Sequence, residues 1–241
     1  NFMKSGIVFA DAVSTVSPTY AEEIRFSDYH GRGMQGILET RKNDLTGILN
    51  GIDYKEWNPE KDSNIKCAYS SKKTASLLES RSRCKSSLQK ELGLSEENAP
   101  LFGIVSRLDP VKGFDLLASV MPKLMEMPVQ LVMLGLGDQA YIDKFTELAA
   151  KNPGKFSFNR GFNDKLAHKI YAGSDFFVMP SKSEPCGLGQ MIAMRYGSSP
   201  VAHWTGGLAD SIEQFDISAK KGTGFLFRDY TESALLNSLM G

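Results

Sequence analysis

Residues 101–150 read LFGIVSRLDPVKGFDLLASVMPKLMEMPVQLVMLGLGDQAYIDKFTELAA, and their rhythm decides the fold. A short apolar run over 101–106 leads to a helical pattern over 112–125. A second run over 129–134 leads to another helical pattern over 139–150. Short apolar strands separated by helices predict a parallel sheet, because parallel pairing needs crossovers and the crossover helices cover both faces.

The alternation continues outward. It predicts strands over 156–159, 176–179 and 200–202, helices over 165–172 and 188–196, and, upstream, a helix over 72–92 that Gly93 stops. Residues 52–241 therefore read as one α/β domain with a doubly wound, mostly parallel sheet. Residues 1–51 give a helix, a strand over 13–16, a helix led by Pro18, and a short strand and turn within 44–51. The stretch GIDYKEWNPEKD (51–62) then breaks all periodicity, and the domain boundary is placed after residue 51.

Bulk composition narrows the function classes. The 241 residues are 41% hydrophobic, enough for a sizeable core, and carry 28 basic against 28 acidic side chains. That balance leaves no positive surplus to condense on a polyphosphate backbone, so nucleic acid is not the expected partner. Apolar runs such as 129–136 fall far short of the roughly 20 residues of a membrane helix, so a soluble protein is expected. Cys67, Cys84 and Cys186 show neither metal-ligand spacing nor a disulfide framework, which suits a reducing compartment and predicts no metal. The opening NFMKSGIVFADA reads as the middle of an amphipathic helix, and TESALLNSLMG ends on a helical pattern; a piece of a longer protein is expected.

In a doubly wound sheet, ligands sit beyond the carboxyl ends of the strands. The first candidate there is VSRLDPVKG (105–113), where Arg107 and Lys112 could converge on one anion. The plainer reading pairs Arg107 with a carboxylate and leaves Lys112 solvated. The second is PSKSEPCGLGQ (180–190). Gly187 and Gly189 allow close backbone approach, and Glu184 could accept from a sugar hydroxyl or simply serve a helix dipole. The third is TGGLAD (205–210), either a phosphate-contacting loop or a connection. Phe162 could stack on a base or pack in the core. GLGD (135–138) lacks the third glycine of a dinucleotide fingerprint and reads as a tight turn. His30, His168 and His203 show no ligand spacing, and His168 is expected to pack.

Taken in order, DAVSTVSPTYAEEI, LTGILNGIDYKEWNP, GIVSRLDPVKGFDLL, PSKSEPCGLGQMIAMRYG and TGGLADSI resemble the bacterial glycogen synthases and plant starch synthases over nearly the whole chain. The resemblance implies a two-domain glycosyltransferase in which residues 52–241 form the Rossmann-like, nucleotide-sugar-binding C-terminal domain. Residues 1–51 would be a remnant of the acceptor-side N-terminal domain. The implied reaction is retaining transfer of glucose from ADP-glucose to the non-reducing end of an α-1,4-glucan, without metal or cofactor, in a bacterial cytoplasm or a plastid. Arg107 and Lys112 would neutralise the diphosphate, Glu184 would bind the donor glucose, and Phe162 would lie near the adenine. Gly187, Leu188, Gly189 and Gln190 would surround sugar and phosphate, with Thr205, Gly206 and Gly207 in the loop that closes on the donor. A non-catalytic glucan-binding or scaffold module derived from a synthase is the competing reading; joint retention of Arg107, Lys112 and Glu184 speaks against it.

Three departures stand out. Gly189 replaces the family's usual Thr, and Ile192 occupies the position of a second Glu in the broader glycosyltransferase pattern. The family's N-terminal Lys-x-Gly-Gly-Leu loop is not in this sequence, so the missing domain counts among the expected partners and the fragment is expected to be poorly active alone.

Overall fold

A computed structural model describes residues 2–240, apart from the side chains of Thr74 and Ala75. The first segment contains α1 (Phe2–Phe9), β1 (Val13–Thr15), α2 (Pro18–Phe26), α3 (Asp28–Gly31), α4 (Gln35–Thr40) and β2 (Leu45–Gly47). β1 and β2 pair in parallel as a separate two-stranded sheet. Pro18 opens α2 at a position needing no backbone donor, and the Ser17 hydroxyl accepts from Tyr20 N at 2.9 Å to cap it.

The second part runs α5 (Thr74–Glu91), β3 (Leu101–Leu108), a 3-10 turn (Pro110–Lys112), α6 (Phe114–Glu126), β4 (Gln130–Gly137), α7 (Gln139–Lys151) and β5 (Phe156–Arg160). It continues with α8 (Asp164–Gly173), β6 (Phe176–Met179), α9 (Gly189–Arg195), β7 (Ser199–His203), α10 (Gly206–Ser211), β8 (Phe225–Phe227) and α11 (Glu232–Met240). The six strands β3 to β8 form one all-parallel sheet in the order β5-β4-β3-β6-β7-β8.

Strand alternation distributes the core to both faces. Leu131 and Met133 pack with Leu117 and Met121 of α6, Phe145 of α7 and Leu235 of α11. Val132 and Leu134, one residue out of phase, pack with Leu88 of α5, Ile170 of α8 and Ile192 of α9. This period of two is what a strand covered on both sides requires.

Two local differences from the sequence pattern bear on function. β3 runs through Leu108, so Arg107 sits on the strand itself rather than in the loop. Lys112 lies on the 3-10 turn rather than in a helix, because Gly113 adopts φ +75 and separates that turn from α6. The short β8 and the small helices α3, α4 and α10 had no separate signal in the pattern.

The aperiodic stretch after residue 51 contains neither helix nor strand, yet it is firmly attached. Trp57 stacks on His168 at 4.3 Å between ring centroids, and Asp62 accepts from Tyr196 Oη at 2.6 Å while contacting His168 Nδ1 at 2.7 Å. Tyr69 Oη donates to the Tyr196 carbonyl at 2.8 Å. His168 is thus buried among aromatics, as expected, with a carboxylate partner from the irregular segment. Among the described residues no helix is long and apolar enough to cross a membrane.

Candidate functional site

The chain lays down β3, β4 and β5 to one side and β6, β7 and β8 to the other, so strand order reverses between β3 and β6. Loops leaving the carboxyl ends of these two strands diverge and leave a crevice. A cleft of about 220 Å³ lies there, lined from the β3 side by Ser106, Arg107 and Lys112 and from the β6 side by Glu184, Gly187 and Gly189.

Close backbone approach builds its walls. A Cβ on Gly113 would collide with the Pro180 carbonyl, so only glycine lets the two loops close on each other. Lys182 N donates to the Val111 carbonyl at 2.8 Å and stitches them together. Asp109 Oδ1 accepts from Val111 N at 3.0 Å, which shapes the turn carrying Lys112. Lys112 Nζ then reaches Glu184 Oε1 and Oε2 at 2.9 and 2.8 Å, and Ser181 Oγ donates to Glu184 Oε2 at 3.0 Å. The Glu184 side chain is only 7% exposed, so its charge depends on these donors.

Arg107 is placed differently. Its side chain is 72% exposed at the rim, and its nearest acid, Asp109, is 3.7 Å away. A cation held this loosely is available to an anionic ligand. The phenol of Tyr171 also lines the cleft; burial pushes it far above its ordinary pKa, so it is a neutral hydroxyl rather than a base.

Leu188 precedes α9, and no side chain caps that helix's first turn. The side chain of Gln190, a residue whose backbone the resemblance places around sugar and phosphate, is fully buried beneath the elbow. Its Nε2 donates to the carbonyls of Cys186 and Gly187 at 2.9 and 3.0 Å and to Ser211 Oγ at 3.0 Å. Ile192 contributes an apolar wall to the cleft. A Cβ at Gly189 would come within 3.1 Å of the Phe177 ring, so this position is tight for anything larger.

Thr205, Gly206 and Gly207 do not line this cleft; they brace it from behind. A Cβ on Gly206 would strike the Glu184 carbonyl and one on Gly207 the Cys186 carbonyl, while Gly207 N donates to the Glu184 carbonyl at 3.0 Å. The first segment closes the other side of this loop. Glu23 Oε1 accepts from Thr205 Oγ1 at 2.8 Å and Gly206 N at 3.0 Å, and Asp210 accepts from Thr19 N and Thr19 Oγ1 at 2.9 and 2.6 Å. α2 and α10 therefore cap each other reciprocally.

Phe162 is 79% exposed on the loop after β5. It borders a second groove, of about 130 Å³, whose wall shares Val105, Ser106 and Arg107 with the main cleft. The simple core-packing alternative for Phe162 is therefore excluded. An exposed ring beside a cation-lined crevice is suited to a flat, partly charged ligand.

A family model described as glycosyl transferases group 1 matches residues 87–240, more than half of the chain. The chain belongs to this family. A second model, described as the starch synthase catalytic domain, matches residues 1–40 of this group 1 chain. Glycogen synthase of Fervidobacterium nodosum is 45% identical over 239 residues, covering 99% of this chain and 48% of the relative. Glycogen synthase of Thermotoga maritima is 48% identical over 240 residues, with coverages of 99% and 48%. The group 1 chain thus spans about half the length of the relatives it matches. Among solved structures, the catalytic domain of starch synthase IV from Arabidopsis thaliana bound to ADP and acarbose superposes with a TM-score of 0.89 at 37% identity, covering 99% of this chain and 49% of that one. Sucrose-phosphate synthase from Thermosynechococcus elongatus, at 21% identity and a TM-score of 0.66, shares the fold.

Sequence reasoning thus picked out Arg107, Lys112, Glu184, Gly187, Leu188 and Gly189, which this group 1 fold gathers at one cleft, and Phe162 at the adjoining groove. It missed Ser181, Glu23 and Asp210. Ser181 sat inside a motif already singled out. Glu23 and Asp210 find their partners 182 and 191 residues away, a relation no local pattern signals.

Proposed function

We propose that this chain carries the nucleotide-sugar half of a glycogen or starch synthase, a retaining transferase that moves glucose from ADP-glucose to the non-reducing 4-hydroxyl of an α-1,4-glucan. The observation that carries this reading is the single cleft shared by Arg107, Lys112, Glu184 and the glycine-bearing elbow. As the bond between the anomeric carbon and the diphosphate breaks, negative charge gathers on the departing ADP. Preplaced cations therefore favour the transition state over the ground state. Glu184, fixed by Lys112 and Ser181, is the acceptor for a glucose hydroxyl. Phe162 offers its exposed face to the base from the adjoining groove. Neither metal nor cofactor has a part in this scheme.

Similarity to the bacterial glycogen synthases and to a plant starch synthase supports the donor and the acceptor class, in a bacterial cytoplasm or a plastid. Orienting an acceptor against the donor supplies roughly 7 to 11 kcal/mol of barrier reduction and needs an opposing wall. Residues 1–241 alone are accordingly expected to bind ADP weakly and to turn over poorly. The deciding experiment is calorimetric titration with ADP, UDP and ADP-glucose together with a glucan-elongation assay of the natural-length polypeptide. Binding of ADP with elongation supports the reading; glucan binding without either sinks it in favour of a scaffold module.

A further inference from the structure

Glu23 belongs to none of the cleft walls, yet its environment is built. Its Oε1 takes two donors, the Thr205 hydroxyl and the first amide of α10, from the far end of the chain. Its Oε2 is buried without a hydrogen-bond partner, and His30 Nε2 lies 3.7 Å from it. The α10 segment it grips is packed against the elbow so closely that no Cβ fits at Gly206 or Gly207. The contacts on the elbow side are the carbonyls of Glu184 and Cys186. Close-packed backbone transmits displacement rather than absorbing it.

We propose that Glu23 is a positioning residue for the cleft: it seats the Thr205–Gly207 loop against the backbone of Glu184 and so fixes the carboxylate that Lys112 and Ser181 hold. The path is continuous from Glu23 Oε1 to Gly206 N, from Gly207 N to the Glu184 carbonyl, and from the Glu184 side chain to Lys112. Asp210 is the natural comparison. Its carboxylate clamps Thr19 on the same pair of helices and, among the described residues, takes no hydrogen bond from the loop glycines or the elbow. Losing Asp210 loosens α2; losing Glu23 loosens the support of Glu184.

The proposal rests on the nucleotide-sugar reading of the cleft for its functional meaning, so its test has a ligand-free arm. In the natural-length polypeptide, amide hydrogen exchange is compared for wild type, Glu23→Ala, Glu23→Gln and Asp210→Ala, and ADP titrations are run on the same proteins. Glu23→Ala is expected to raise exchange at 184–190 and 205–207 at least tenfold and to weaken ADP at least tenfold. Glu23→Gln, whose amide oxygen can still accept from Thr205 and Gly206, stays within threefold of wild type in both. Asp210→Ala lowers the melting temperature but leaves 184–190 within threefold. Equal exchange at 184–190 in Glu23→Ala and wild type, or equal loss in Glu23→Ala and Asp210→Ala, overturns the proposal. If wild type does not bind ADP, the nucleotide reading falls, while the exchange comparison still decides the positioning role.

Discussion

The ammonium of Lys112 sits between both carboxylate oxygens of Glu184, at 2.9 and 2.8 Å, across the point where the sheet reverses its strand order. The pair serves two ends at once. It neutralises a nearly buried acid, and it stations a cation in the wall of the cleft.

Those roles separate by mutation. Lys112→Met strands the Glu184 charge with Ser181 as its remaining side-chain donor, and is expected to destabilise the protein by about 3 kcal/mol in urea unfolding. The double variant Lys112→Met/Glu184→Gln should recover most of that loss, yet neither variant should bind ADP with wild-type affinity. A double variant no more stable than Lys112→Met would show that the pair does not carry the stability.

Arg107 should behave in the opposite way. It is exposed and only loosely shared with Asp109, so Arg107→Ala should change stability by no more than about 0.5 kcal/mol. Its loss should weaken ADP by about 1.5 to 3 kcal/mol, the scale of hydrogen bonds to charged groups, in calorimetric titration. Unchanged ADP affinity would remove Arg107 from the site.

For Phe162 the contrast is between ligands. Phe162→Ala removes an exposed ring and should leave the unfolding curve in place. It should cost ADP about 1 kcal/mol while leaving inorganic pyrophosphate unaffected, since only the former carries a base to stack. Equal losses for both ligands would rule out stacking.

Glycine substitutions test the loop packing. Gly207→Ala drives a Cβ into the Cys186 carbonyl and should cost about 1 to 3 kcal/mol, because rigid backbone must shift. Gly36→Ala in α4 meets nothing within 4 Å and should stabilise by up to about 1 kcal/mol. Thermal melts of the two variants moving in the same direction would contradict the packing argument.

Alkaline pH should loosen the fold through its buried phenols. Burial, and for Tyr196 the bond to Asp62, raise the pKa values of Tyr69, Tyr171 and Tyr196 well above the ordinary 10. Raised values in the folded state mean that folding holds these protons more tightly than the unfolded chain does. The associated stability is complete below about pH 10 and drains away as pH climbs from there toward the folded values. Urea midpoints should fall above pH 10, and Tyr196→Phe should show a shallower fall from a lower starting point.

Much of the fold was legible because the strands of the large sheet are short apolar runs with covered faces, and their period of two shows in Leu131 to Leu134. β8 escaped notice because three residues are too few to establish a period. The helical pattern starts at Lys112, a residue the structure leaves on the 3-10 turn; the positive φ of Gly113 decides, and that angle answers to the Pro180 carbonyl 67 positions later. Arg107, Lys112 and Glu184 were readable because chemistry gathers at strand ends. The support beneath them was not, since Glu23, Gln190 and Asp210 are defined by what touches them in three dimensions.

At Gly113, Gly206 and Gly207, a carbonyl from a neighbouring loop rests where a side chain would otherwise stand. These contacts divide the site into a backbone frame that cannot vary and side chains that can. Substitutions are therefore confined to outward positions such as Phe162 and Leu188, where a change of side chain leaves the frame untouched.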